Sequence, residues 1–134
     1  MIQKLRKSQG GFTLVEIMIV VAIIGLLAAI AVPSFMRARM RAQATTVLNE
    51  ARQLDAAKDQ YALENNKIGT VAPGFADLTP YLKAGSKLAT NSGNDTMGNA
   101  FAIGAVSARL TVSSTTKNNT SDATGGDAFW GPYS

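Results

Sequence analysis

The chain contains no cysteine and no histidine. Disulfide bonds, thiol chemistry, cysteine lipidation and histidine-ligated metals are therefore excluded. The commonest general base is missing too, and the remaining carboxylates and lysines show no paired spacing, so catalysis is not expected. There is no glycine-rich phosphate loop and no internal repeat. Charged residues make up only 16% of the chain, against about 25% in a typical soluble domain. With 134 residues, part of them strongly apolar, the length allows one small domain.

What the chain has is concentrated at its start. Met1–Gly11 carries three cations, Lys4, Arg6 and Lys7, and closes on two glycines. Without that stretch ten basic residues face nine acidic ones, so the high pI describes the first eleven residues and is no signal for nucleic acid. Phe12-Thr13-Leu14-Val15-Glu16 follows, then Ile17–Val32 without a single charge. About 20 helical residues cross a bilayer core, and Phe12–Val32 supplies them. Three readings fit this pattern: a plain single-pass anchor, a secretory signal cut after Ala29-Ile30-Ala31, or a segment cut at Gly11 that leaves the apolar helix on the mature chain. Glu16 is the anomaly, because a carboxylate in such a segment is costly and needs a partner. A cut between Gly11 and Phe12 would create an ammonium four residues before it, at the positive end of the helix. Pairing such an amine with Glu16 of an adjacent copy would relieve both charges.

Gly11, the Phe12–Glu16 run and the following apolar stretch to Pro33 resemble the N-terminus of type IV pilins and type II secretion pseudopilins. The resemblance covers about Lys4–Arg41. It implies cleavage after Gly11 by a prepilin peptidase, N-methylation of Phe12, and a role for Glu16 in recruiting and registering subunits. It also implies an assembly ATPase and an assembly platform protein as machinery. Pro33 lacks an N–H and should kink or loosen the helix, where similar prolines in pilins let the filament stretch.

Beyond Pro33 the pattern stays helical. Arg37, Arg39 and Arg41 form a basic collar, either snorkelling or paired with acidic groups of neighbouring copies such as Glu50, Asp55 or Asp59. Met40, Ala44, Val47, Leu48, Ala51, Leu54, Ala57 and Tyr61 recur at helical spacing, with Glu50, Arg52, Lys58 and Asp59 largely on other faces. Asn65-Asn66 and Gly69 end the helix. Thr79–Gly85 reads as a one-turn helix with proline near its start. Ala100–Val106 and Arg109–Ser113 read as a hairpin laid on Val47–Tyr61. Thr115–Gly126 reads as loop, and Phe129, Trp130 and Tyr133 should cap the core. Asp122 and Asp127, on a glycine-containing loop, are weak calcium candidates, and no other cofactor is expected.

The expected fold is α+β: a long N-terminal helix, membrane-spanning then amphipathic, packed on a small antiparallel sheet. The expected divisions are a leader over 1–11, a transmembrane and polymerisation helix over 12–34, an amphipathic half over 35–64 and a head over 65–134. The resemblance implies a structural subunit of a type IV pilus-like filament, or alternatively a pseudopilin of a type II secretion system. Its partners would be copies of itself, other pilins or pseudopilins, the peptidase, the platform protein and the membrane. It would reside in the inner membrane as a precursor, then in a periplasmic or extracellular filament. The long helix and Thr/Ser/Asn-rich loops suit a pilus. The missing disulfide and the closing Trp-Gly-Pro-Tyr suit a pseudopilus, although that family usually places such a motif before further strands.

Overall fold

A computed structural model describes residues 10–134. The expected leader, with Lys4, Arg6 and Lys7, lies outside the described residues apart from its two glycines. The chain divides at Phe35/Met36 into two units. Helix α1 runs from Leu14 to Glu64 and includes Pro33 without a break in its helical assignment.

Among the described residues of the first unit every large apolar side chain is solvent-facing. Exposure from Phe12 to Met36 ranges from 86% at Phe12 to 43% at Met36, the first residue of the second unit. A helix that is apolar all round belongs among other apolar surfaces. By length and composition this part of α1 can cross a membrane.

The second unit has its own core. Ala44, Val47, Ala51, Leu54 and Ala57 of α1 are buried, while Leu48 and Tyr61 pack partly against them, as the helical spacing predicts. Leu78, Leu82, Leu88, Phe101, Leu110, Val112, Trp130 and Tyr133 complete that core. Trp130 and Tyr133 are 1% and 6% exposed, so the closing aromatics cap the core as expected. Short α2 (Phe75–Leu78) starts where Asp77 accepts from the Gly74 N–H at 2.9 Å. It runs into a 3-10 turn at Thr79–Tyr81 containing Pro80, where one helical turn was expected. Helix α3 (Lys87–Thr90) is capped by Ser86, which accepts from Ala89 N at 3.3 Å.

Two expectations fail. Among the described residues the hairpin reduces to isolated antiparallel bridges, Ala102 with Thr111 and Asn94 with Ala100. The Ala102–Thr111 pair exchanges two 3.0 Å bonds, but the ladder stops there because other groups take its backbone. Val112 N–H goes to Tyr133 O at 2.9 Å, Val106 N–H to Val71 O at 2.9 Å, and Phe101 N–H to Gly93 O at 3.5 Å. Gly104 turns the chain at φ +61°, a backbone state that β-strands avoid. The antiparallel sheet of the expected α+β head is therefore not formed. Phe101, Leu110 and Val112 of the two expected strands are nevertheless buried.

The expected loop over Thr115–Gly126 is instead largely helix α4 (Ser114–Thr124). Ser113 caps it by accepting from Thr115 N at 3.3 Å, and Gly125 ends it in the left-handed conformation at φ 80°. Its buried face is made of Thr116 and Thr120, both 0% exposed. Thr120 satisfies its hydroxyl against Thr116 O at 2.9 Å. A helix that buries threonine rather than leucine carries no hydrophobic period for the sequence to reveal.

Candidate functional site

The start of α1 brings together the residues singled out around the apolar run. Thr13 is the residue before the helix and Glu16 the third within it, the positions of a capping box. The Thr13 N–H and hydroxyl each donate to Glu16 Oε2 at 2.8 Å, and Glu16 N–H donates back to Thr13 Oγ1 at 3.2 Å. The carboxylate thus satisfies a helix N-terminus that would otherwise present unpaired donors, and it sits at the favourable end of the helix dipole. Glu16 borders a shallow concavity lined by Phe12, Ile17, Ile19 and Val20, so one acidic group faces an otherwise apolar surface. Reasoning from the sequence missed Thr13, although Thr-x-x-Glu ahead of an apolar run is the signature of this box.

Gly11 and Phe12 precede the helix and are exposed. A Cβ placed on Gly11 would meet nothing within 4 Å, and its φ lies outside the left-handed region. Local packing therefore does not require glycine at this position.

Further along α1, Arg37, Arg39 and Arg41 are exposed. The acids offered as their partners in neighbouring copies divide. Glu50 is 7% exposed and is taken within its own chain. Its carboxylate accepts the Thr96 N–H at 2.9 Å and the Thr96 hydroxyl. Lys58, expected on an outer face, is 1% exposed. Its Nζ donates to Ile103 O at 2.8 Å and to Ala108 O at 2.5 Å. Burial pushes the Lys58 ammonium below its ordinary pKa, while nearby Asp55 and Asp59 hold it up. Two charged side chains of α1 thus tie the 94–100 and 103–108 loops to the helix.

A third polar anchor is Asp95, 1% exposed. It accepts from Met97 N at 2.9 Å, from Asn99 N at 2.8 Å and from the Thr116 hydroxyl, which joins the 94–100 loop to α4. Asn99 Nδ2 donates to Thr116 Oγ1 at 2.9 Å. Near the end of α1, Tyr81 donates its hydroxyl to Glu64, which raises the phenol pKa, with burial adding to the effect.

The weak calcium pair does not share a loop. Asp122 lies on α4, and Asp127 opens the 3-10 turn Asp127–Phe129 beyond the Gly125 cap. Asp127 lies 3.9 Å from Lys117. No group of three or more acidic side chains able to hold a metal occurs among the described residues.

A family model described as "Prokaryotic N-terminal methylation motif" matches residues 6–32. Type II secretion system core protein G of Klebsiella michiganensis is 40% identical over 73 residues, 54% of this chain and 51% of that protein. A fimbrial protein of Pseudomonas aeruginosa is 48% identical over 62 residues, 46% of this chain and 40% of the relative. The type IV major fimbrial protein FimA of Dichelobacter nodosus is 41% identical over 71 residues, 53% of this chain and 46% of the relative. The chain spans about half the length of the curated relatives it matches. No solved structure matches it significantly. Through its first helix the chain carries the prokaryotic N-terminal methylation motif and is similar there to type IV fimbrial proteins and to type II secretion system core protein G.

Proposed function

We propose that this chain is a structural subunit of a type IV pilus-like filament, stored in the inner membrane and polymerised through its hydrophobic helix into a periplasmic or extracellular fibre. The observation that carries this is the sleeve of exposed apolar side chains from Phe12 to Met36, opened by a single capped carboxylate. Each such side chain, removed from water, contributes roughly 1.5–3 kcal/mol, so the sleeve requires lipid or sister helices at every stage. A contact repeated between copies with an offset gives an open helical polymer.

In this function a prepilin peptidase cuts between Gly11 and Phe12 and methylates the new terminus. Glycine at position 11 answers to that enzyme, because the fold makes no demand for it. Glu16 registers subunits by meeting a sister's new amine, exchanging its bonds to Thr13 for that contact. Pro33, inside α1, is where the helix yields in the fibre. The assembly platform protein, its ATPase and other pilins or pseudopilins are the remaining partners. The role is structural rather than catalytic.

A second reading, a pseudopilin of a type II secretion system, is favoured by the core protein G relatives and by a head closed without disulfides on Trp130 and Tyr133. The filament role is tested with Glu16→Ala. The variant should insert and be processed, giving a mature chain that starts with N-methyl-Phe12 by mass spectrometry, yet fail to enter filaments. Wild-type incorporation of the variant, or a mature chain starting at Val32, would refute the assignment.

A further inference from the structure

Between Glu16 and Glu50 the chain has no acidic residue, yet it carries Arg37, Arg39 and Arg41 a few positions after the apolar run. All three are exposed and form no ion pair among the described residues. Arg37 and Arg41 share one face of α1, and Arg39 lies on the opposite one. The nearest acid along the helix, Glu50, is taken within its own chain, where it holds Thr96. Phe35 and Met36, immediately before the collar, are exposed apolar side chains.

Cations on the translocated flank of a membrane segment oppose the usual topology bias. Here they equal in number the leader cations Lys4, Arg6 and Lys7. Guanidinium groups present a planar fork of donors that matches phosphate oxygens, and long arginine stems lie along apolar surface while their heads reach polar groups.

We propose that Arg37, Arg39 and Arg41 form a docking collar for anionic phospholipid headgroups of the outer leaflet of the inner membrane. The collar would hold the unassembled subunit there until the filament claims it. This rests on the membrane reading given above. A cation near an anionic membrane surface is attracted about fivefold per residue, an effect screened by salt.

The test places the full-length chain in nanodiscs of equal phosphatidylglycerol and phosphatidylcholine and counts retained lipids by native mass spectrometry. Wild type should prefer phosphatidylglycerol, R37Q/R39Q/R41Q should lose roughly fivefold or more of that preference, and R37K/R39K/R41K, which keeps the charge but not the fork, should fall between the two. An unchanged preference in the glutamine variant overturns the proposal. So does competition by soluble glycerol phosphate, which would mark a free-phosphate site. A glutamine variant that keeps its lipid preference but stops forming filaments assigns the arginines to sister subunits, which also overturns it. Flotation with vesicles reads insertion separately. A wild-type chain that does not float overturns the membrane reading itself, whereas one that floats without lipid preference overturns only the collar.

Discussion

Replacing Asp95 with alanine should cost the head much of its stability. The carboxylate is buried and receives three hydrogen bonds, from Met97 N, Asn99 N and the Thr116 hydroxyl. Hydrogen bonds to a charged group contribute about 1.5–3 kcal/mol each. The three share one acceptor and are not additive, and removing a buried charge returns part of its desolvation cost, so the net loss should be about 3–5 kcal/mol. A head of roughly a hundred residues has only about 5–15 kcal/mol in all. Trp130 is the sole tryptophan and is 1% exposed, so its fluorescence reports head unfolding in the full chain held in detergent. With a urea slope of about 1–3 kcal/mol per molar, the midpoint should fall by roughly 1–5 M at unchanged slope. Thr116→Val should lose less, and combining it with Asp95→Ala should give less than the sum, with about 0.5–3 kcal/mol of coupling. A midpoint for Asp95→Ala within experimental error of wild type would refute the view that this carboxylate fastens α4 to the 94–100 loop.

The ammonium of Lys58 has a folded-state pKa below its unfolded value, so the unfolded chain binds the proton more tightly. Stability should therefore rise as pH climbs from that lowered value towards about 10.4. Lys58→Met should flatten this slope in thermal melts, and an identical slope in the variant would contradict the assignment. Leu54→Ala should lower head stability by about 2–5 kcal/mol in the same fluorescence assay, because Leu54 is wholly buried; a loss below that range would mean the site collapses around the gap. Thr13→Ala should leave processing intact and reduce filament incorporation less than Glu16→Ala, since it removes the bonds within the subunit but keeps the charge; equal defects in pull-down of assembled fibres would show that the capping box itself is what assembly needs.

The helical stripe from Ala44 to Ala57 was legible because five apolar residues recur at one spacing and pack on one core. The Phe12–Val32 segment was legible for a simpler reason, its length without charge. Glu50 and Lys58 were not, because their partners are Thr96, Ile103 and Ala108, 45 to 50 positions away. No local period records such a contact. The hairpin was half legible: the two apolar segments that meet at the Ala102–Thr111 bridge stood out, but not the competing acceptors at Val71, Gly93 and Tyr133. Helix α4 escaped because its buried face is threonine. The Ser113 cap and the Gly125 stop were the available signals. Thr13, second in the Phe12–Glu16 run, shows its role only when read as a pair with the glutamate three positions on.

Of the bonds by which Glu50 and Lys58 secure the loops, all but the one to the Thr96 hydroxyl end on peptide N–H or C=O groups. A clasp addressed to peptide groups is indifferent to what the clasped residues display. Exposed positions such as Ala102, Ser107 and Ala108 could therefore be rewritten one at a time while the scaffold beneath stays put. In the filament subunit proposed above, that arrangement separates the freedom to change appearance from the obligation to stay folded.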